Sequence, residues 1–182
     1  MRKIAVDIAL LLPEEIEKKI KKIQTRENIP HISLLMGAID TKILPKIKKV
    51  VEKYKINKIE LEIEKVYKTE MTGSRALKIK KIPKLQKLHG YLAGNLKKYF
   101  VDKPDKAMFY NEEASENNLK IVENYIKNAS YKNFSPHITL GKGINIKDIN
   151  IKKKRFDALG IAVCHLGRHC SCREILFLVK IE

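Results

Sequence analysis

The chain is predicted to form an α+β domain built mostly of antiparallel sheet. Three observations carry this. Short apolar or alternating runs of strand type are interleaved with amphipathic runs of helical period, in the order β-α-β-α-β-β-α-α-β-β-β. Prolines and glycines punctuate the boundaries between them. The 182 residues, 44% of them apolar, suffice for one domain spanning 1–182 with a substantial core.

The elements follow in order. Residues 3–12 read as a buried strand, interrupted only by Asp7. Pro13 at a first helical position, with Glu14 and Glu15 at the positive end of the dipole, begins a helix running to about residue 27 along Ile16, Ile20 and Ile23. Pro30 disfavours helix at Ile29, so His31–Ala38 is a second strand. A Lys-rich amphipathic helix is expected at 43–55. Ile59, Leu61 and Ile63 alternate with glutamates as in a half-exposed strand, and Ala76–Ile79 after Thr72-Gly73-Ser74 is its hairpin partner. Leu85, Leu88, Leu92 and Leu96 mark a helix over 83–100, residues 102–114 a loop, and Ser115-Glu116 the start of a further helix. Pro136 precedes the strand His137–Leu140, and two closing strands near 156–165 and 173–181 are joined by Leu166-Gly167-Arg168-His169.

Charge is the compositional outlier: 38 Lys+Arg against 21 Asp+Glu leave a formal charge of +17. Such a field favours polyanionic partners, RNA, DNA or nucleotides. Yet 32 of the basic residues are Lys and six are Arg, and Arg is the residue of bidentate phosphate recognition. A bias that fills every solvated face with Lys would give the same surplus, so charge speaks here to association and not to chemistry. No apolar run approaches the ~20 residues needed to span a bilayer. The N-terminus superficially resembles a signal peptide, but Asp7 breaks the run and no small-residue cleavage site follows, so a cytoplasmic protein with no membrane partner is expected.

Two segments carry chemistry. Pro30-His31-Ile32-Ser33-Leu34 and Pro136-His137-Ile138-Thr139-Leu140 lie in opposite halves of the chain, and each reads Pro-His-Ile-hydroxyl-Leu on a predicted strand. Residues i and i+2 share a strand face. Each strand therefore buries two aliphatics and offers an imidazole beside a hydroxyl. Two imidazoles that titrate near neutrality can take a proton from a nucleophile and give one to a leaving oxygen. A hydroxyl two residues on can donate to a phosphate oxygen or fix the neighbouring ring.

The paired motifs resemble those of the two-histidine (2H) phosphoesterase superfamily, including the bacterial 2′–5′ RNA ligase-like (LigT-like) proteins. The resemblance implies a bilobal α+β fold in which two mostly antiparallel sheets with flanking helices each bring one motif to a central cleft. It implies His31 and His137 as the acid/base pair, with Ser33 and Thr139 as phosphate-binding hydroxyls, and leaves open which histidine is the acid. The implied reaction is metal- and cofactor-independent hydrolysis of a 2′,3′-cyclic phosphate or 2′–5′ linkage on a ribonucleotide or RNA end, with ligation as its reversal, by a monomer. A hydrolase of a nucleotide second messenger, such as a 2′–5′ oligoadenylate or cyclic oligonucleotide, is the alternative. A non-catalytic RNA-binding module is another, though retention of both histidines and both hydroxyls argues against it.

Weaker signals surround these. Arg75, Arg168 and Arg173 sit at or beside turns and could clamp phosphate. Tyr67, Phe109, Tyr110 and Phe134 could stack a base or simply fill the core. His89, amid the leucines of a helix, reads as a packed flank. Cys164-His165 and His169-Cys170-Ser171-Cys172 fit no common zinc spacing, so no metal is expected. The odd number of cysteines is no disulfide framework, and Cys170 and Cys172, i and i+2 on one strand, are poorly placed to bond each other.

Overall fold

A computed structural model of the chain describes residues 2–25, 28–55, 57–69, 73–112, 114–145, 149 and 154–181. Strand β1 (Lys3–Leu11) is buried at every position after Lys3. A strand that meets no water on either face must be central, and β1 pairs antiparallel with β2 (His31–Asp40) on one edge and β7 (Gly160–Gly167) on the other. With β8 (Ser171–Lys180) they form a sheet in the order β2-β1-β7-β8. The second sheet runs β5-β4-β3-β6, from β3 (Glu60–Lys68), β4 (Arg75–Ile79), β5 (His137–Gly141) and β6 (Arg155–Asp157). All pairs are antiparallel. The two motif-bearing strands, β2 and β5, are each the edge of a sheet, and they contact one another.

Among the described residues five α-helices cover the sheets. Helix α1 (Glu14–Lys21) buries Ile16 and Ile20, and α2 (Leu44–Lys53) buries Ile47 and Val51. Helix α3 (Pro83–Leu96) turns its four leucines inward, followed by a single 3-10 turn over Lys97–Tyr99. Ser115 and Asn118 form a reciprocal capping box at the start of α4 (Glu116–Glu123), and α5 (Tyr125–Ala129) follows after a break at Asn124. Between α3 and α4 the expected loop contains two short 3-10 turns that bury Met108 and Phe109.

The structure corrects four expectations. Pro13 is not in the first turn of α1 but at its cap, with extended backbone (ψ 150°). The helix stops at Lys21 because the chain leaves it for a tertiary partner: the Thr25 N–H donates to the Leu140 carbonyl at the end of β5, 3.1 Å away. Arg26 and Glu27, the last residues assigned to that helix, lie outside the described residues, as does Thr72 of the expected β3–β4 turn. The closing strand expected over 156–165 is two strands in different sheets. The Ala158 N–H bonds to the Ile59 carbonyl and the Leu159 N–H to the Leu11 carbonyl, so these two residues carry the chain from the second sheet to the first. Finally, Cys164 and Cys172 form a disulfide between β7 and β8, with Cα atoms 5.4 Å apart. Pairing runs across the hairpin and not along one strand; Cys170 is buried outside the disulfide, its thiol donating to the Asn118 carbonyl at 3.8 Å. Among the described residues no helix is long and apolar enough to cross a membrane.

Candidate active site

Each motif strand does what period-two alternation requires. Ile32, Leu34, Ile138 and Leu140 are fully buried, while His31, Ser33, His137 and Thr139 are half-buried on the opposite face. On β2 the regular pairing of His31 with Leu11 and Ser33 with Ala9 puts both on the sheet face that Asp7 shares. A β-bulge follows: Ile8 pairs with Leu35 and Ala9 with Ser33, and the bulge leaves Leu34 as the extra residue. It also takes the Leu34 carbonyl out of the ladder, and a buried carbonyl needs a donor. His89 supplies it: its Nδ1–H donates to Leu34 O at 2.7 Å, while its Nε2 accepts from the Tyr131 N–H at 2.8 Å. These two bonds require the neutral ring, and burial pushes its pKa down, with the charge of Lys81 adding to the effect and the Leu34 bond opposing it. The ring stacks on Phe134 at 4.1 Å. His89 is therefore a strut between β2 and the segment that leads into His137.

A second tie lies at the other end of the motifs. Thr25, bonded through its N–H to Leu140, donates its hydroxyl to Lys142 O at 3.3 Å. Between them Gly141 has φ +125°, and a Cβ there would collide with the Thr25 hydroxyl. Only glycine satisfies both conditions.

The two imidazoles are held alike and surrounded differently. His31 Nδ1–H donates to Ile29 O at 2.6 Å, and His137 Nδ1–H donates to Ser135 O at 2.9 Å. Each ring thus bonds the carbonyl two residues earlier and turns Nε2 away from the strand. The His31 Nε2 lies 3.2 Å from Oδ2 of Asp7, a carboxylate with no solvent exposure. The same Oδ2 accepts from the Ser33 hydroxyl at 2.6 Å. Burying an ion costs several kcal/mol unless it is paired and hydrogen-bonded, so the His31 ring and Ser33 are what make Asp7 tolerable on a central strand. Among the described residues His137 Nε2 has no such partner. Tyr67 on β3 stands edge-on to its ring at 6.3 Å.

The protonation preferences diverge accordingly. For His31, burial disfavours the charge, but the Asp7 hydrogen bond, the Asp7 charge and the Ile29 carbonyl together outweigh it, and the pKa is raised. For His137, burial dominates, and the nearby His31 charge adds to it against the opposing effects of Ser135 and Asp7; the pKa is lowered. The two histidines lie close enough for their charges to interact.

Of the other residues singled out from sequence, the structure brings few to this point. Lys78, not singled out, pairs in register with His137, and Ala76 with Thr139, so Lys78 shares the sheet face of His137 while also pairing with Glu64. Among the four aromatics only Tyr67 stands by the site; Phe109 and Phe134 are buried, and Tyr110 packs edge-on against His165. Arg75 opens β4 opposite Gly141. Arg168 lies in the turn between β7 and β8, and Arg173 in β8 at the register shift between the Leu166–Cys172 and His165–Glu174 pairs, both beyond the Val6–His165 pair, whereas His31 pairs with Leu11. That is about five residues, or roughly 17 Å, along β1. His165 bonds Met108 O at 3.0 Å through Nε2.

No protein-family model matches the chain, and no curated protein matches it in sequence. The fold has clear counterparts among solved structures. E. coli LigT in its apo form superposes with a TM-score of 0.60 at 12% identity, covering 100% of this chain and 99% of that one. E. coli LigT complexed with 3′-AMP gives 0.59 at 13% identity with the same coverage. A protein described as a phosphoesterase gives 0.58 at 12% identity, covering 97% and 98%. The chain therefore has the LigT fold over its whole length, the bilobal α+β architecture with two antiparallel sheets expected from the motifs.

Proposed function

We propose that the chain is a 2H phosphoesterase that hydrolyses 2′,3′-cyclic phosphates, or 2′–5′ phosphodiesters, on ribonucleotides or RNA ends, with His137 as general base and His31 as general acid. One observation carries the reading: near-identical Pro-His-Ile-hydroxyl-Leu segments occupy the facing edge strands of two sheets, with imidazoles of opposite protonation preference. The counterparts support it, since LigT structures with phosphate and with 3′-AMP are known.

The roles follow from the environments. A base must be neutral to accept a proton and an acid must be charged to give one. His137, disfavoured as a cation, takes the proton of an attacking water at Nε2. His31, favoured as a cation, gives its Nε2 proton to the departing ribose oxygen. At 3.2 Å the His31–Asp7 contact is longer than the 2.7–2.9 Å usual for a charged N–H to a carboxylate. The proton can therefore be shared with a leaving oxygen. The opposite assignment would run through the minor protonation state of both rings, at a cost of about tenfold in population per pKa unit of separation. Thr139 donates to a non-bridging phosphate oxygen. Ser33 has its one proton on Asp7 and must turn to join it.

Incubation with a panel of 2′,3′-cyclic mononucleotides, 2′–5′ dinucleotides and cyclic oligonucleotides, scored by phosphomonoester formation, tests the reading. Cleavage of the first or second class, lost in His31→Ala and His137→Ala, is expected. Turnover of cyclic oligonucleotides alone would assign a signalling substrate, and no turnover of any class would defeat the proposal.

A further inference from the structure

We infer that Asp7 is a positioning residue of this site, whose buried carboxylate holds the His31 ring doubly protonated and takes the Ser33 hydroxyl as support for the acid half-site in place of a second phosphate donor. The inference rests on the reading of His31 and His137 as the acid/base pair. It begins with an anomaly in β1: a carboxylate with no exposure inside a run that is otherwise apolar from Ile4 to Leu12. A residue kept there only for packing would be aliphatic.

The geometry gives the carboxylate a use. With His31 Nδ1 on the Ile29 carbonyl and Nε2 facing Asp7 Oδ2, both ring nitrogens meet acceptors, and only the imidazolium can donate to both. The Ser33 contact of 2.6 Å lies in the range of a hydroxyl on an ionised carboxylate. The hydroxyl's single proton is thereby committed, and the two motifs divide their labour: Thr139 is left to serve the phosphate, and Ser33 steadies the carboxylate. Asp7 Oδ1 has no hydrogen-bond partner among the described residues, so His31 is the one charge that Oδ2 and Oδ1 both have to draw on.

Other titratable groups approach this pair from α5, β5 and β7. On α5, Tyr125 is buried, and burial and the Asp7 charge push its hydroxyl strongly toward the protonated form, so it brings no charge. On β5, His137 opposes protonation of His31 by like charge. On β7, the residue paired with Asp7 is Cys164, which is in the disulfide and does not titrate. Cys170 lies beyond, acting on Tyr125. Among these, Asp7 alone favours a charged His31.

The test is titration of the five histidines by NMR of their ring nitrogens, in the wild type, Asp7→Asn and Ser33→Ala, alongside pH profiles of kcat/KM on a cyclic mononucleotide. In the wild type, His31 should titrate above 6.5 and above His137. Asp7→Asn should lower the His31 midpoint by one unit or more and move the alkaline limb of kcat/KM with it, a loss of about tenfold or more at pH 8 that shrinks at lower pH. Ser33→Ala should shift the same limb in the same direction by less and leave binding of inorganic phosphate unchanged, whereas Thr139→Ala should weaken phosphate and leave His31 where it was. A wild-type His31 that titrates below His137 overturns the inference without any variant, even if Asp7→Asn fails to fold. So does an unmoved His31 in folded Asp7→Asn. If the His31 midpoint falls as stated while the wild type cleaves no phosphoester, the proposed function fails and the Asp7–His31 pairing stands.

Discussion

The β2 and β5 motifs are spelled almost identically and surrounded differently. Each places a histidine after a proline, bonds its Nδ1 to the carbonyl two residues back, and sets a hydroxyl two residues on. What separates them comes from neither motif. Beside β2 runs β1, where Leu11 and Ala9 pair with His31 and Ser33 and Asp7, two residues further along the same face, reaches His31; beside β5 runs β4, where Lys78 and Ala76 pair with His137 and Thr139, and burial is the largest influence on the His137 ring. An anionic neighbour favours an imidazolium and a cationic or apolar one does not. Symmetric motifs thus acquire opposite protonation preferences from their surroundings, and the proposed acid/base assignment rests on the sheet and not on the motifs.

The severest way to break this comparison is to remove either ring. His31→Ala and His137→Ala should each lower kcat on a cyclic mononucleotide by about 10²–10⁴, with the double variant losing little more, because the two act as one unit. Retained activity in one single variant would reduce the site to a single histidine. The comparison is sharpened by pH. The base must be deprotonated and His137 is shifted down, so the acid limb of kcat/KM should lie below 6.5. The acid must be protonated and His31 is shifted up, so the alkaline limb should lie above it. A profile whose two limbs converge at one midpoint would mean that the half-sites are equivalent after all. Thr139→Ala should cost roughly 10–10³ in kcat/KM at all pH values, since a lost donor is not a lost proton. Chelation by EDTA should leave these rates unchanged.

Smaller effects test the ties that hold the halves together. His89→Ala would leave the Leu34 carbonyl and Tyr131 N–H unpaired and a void beside Phe134, for a loss of about 3 kcal/mol. Thermal unfolding should fall by about 6–12 °C. Gly141→Ala, strained by φ +125° and the Thr25 contact, should cost about 1–3 kcal/mol by the same measurement. Least of all, turnover of a mononucleotide should vary little between 50 and 200 mM salt, while binding of a long RNA should weaken steeply if the +17 charge contacts phosphates. Equal salt slopes would mark the lysines as a solvated coat.

The parts of the molecule legible in sequence are those governed by local rules. Alternation placed the motifs on strands with the correct residues outward, and the four leucines of α3 gave that helix its buried face. His89 read as a packed flank, and it is buried; that it bonds across to β2 depends on a bulge at Leu34 that no local pattern announces. Asp7 registered only as the break in an apolar run, because its partners lie on β2 and the register that aligns them is a tertiary fact. The same holds for Cys164 and Cys172, brought together by a hairpin with two register shifts, and for Ala158 and Leu159, whose backbone bonds to Ile59 and Leu11 divide one apparent strand between two sheets.

The order of strands in the first sheet also has a consequence in time. β1 pairs on one edge with β2, which ends at Asp40, but its other edge belongs to β7, which begins at Gly160. At about 5–20 residues per second, translation takes on the order of ten seconds to produce that strand. Until then β1 has a partner for one edge alone, and the position opposite Asp7 that Cys164 takes in the folded sheet is unfilled. The Asp7–His31 pair on β1 and β2 is therefore closed over by a strand made well after both, and long-range closure of this kind is slow even in a complete chain.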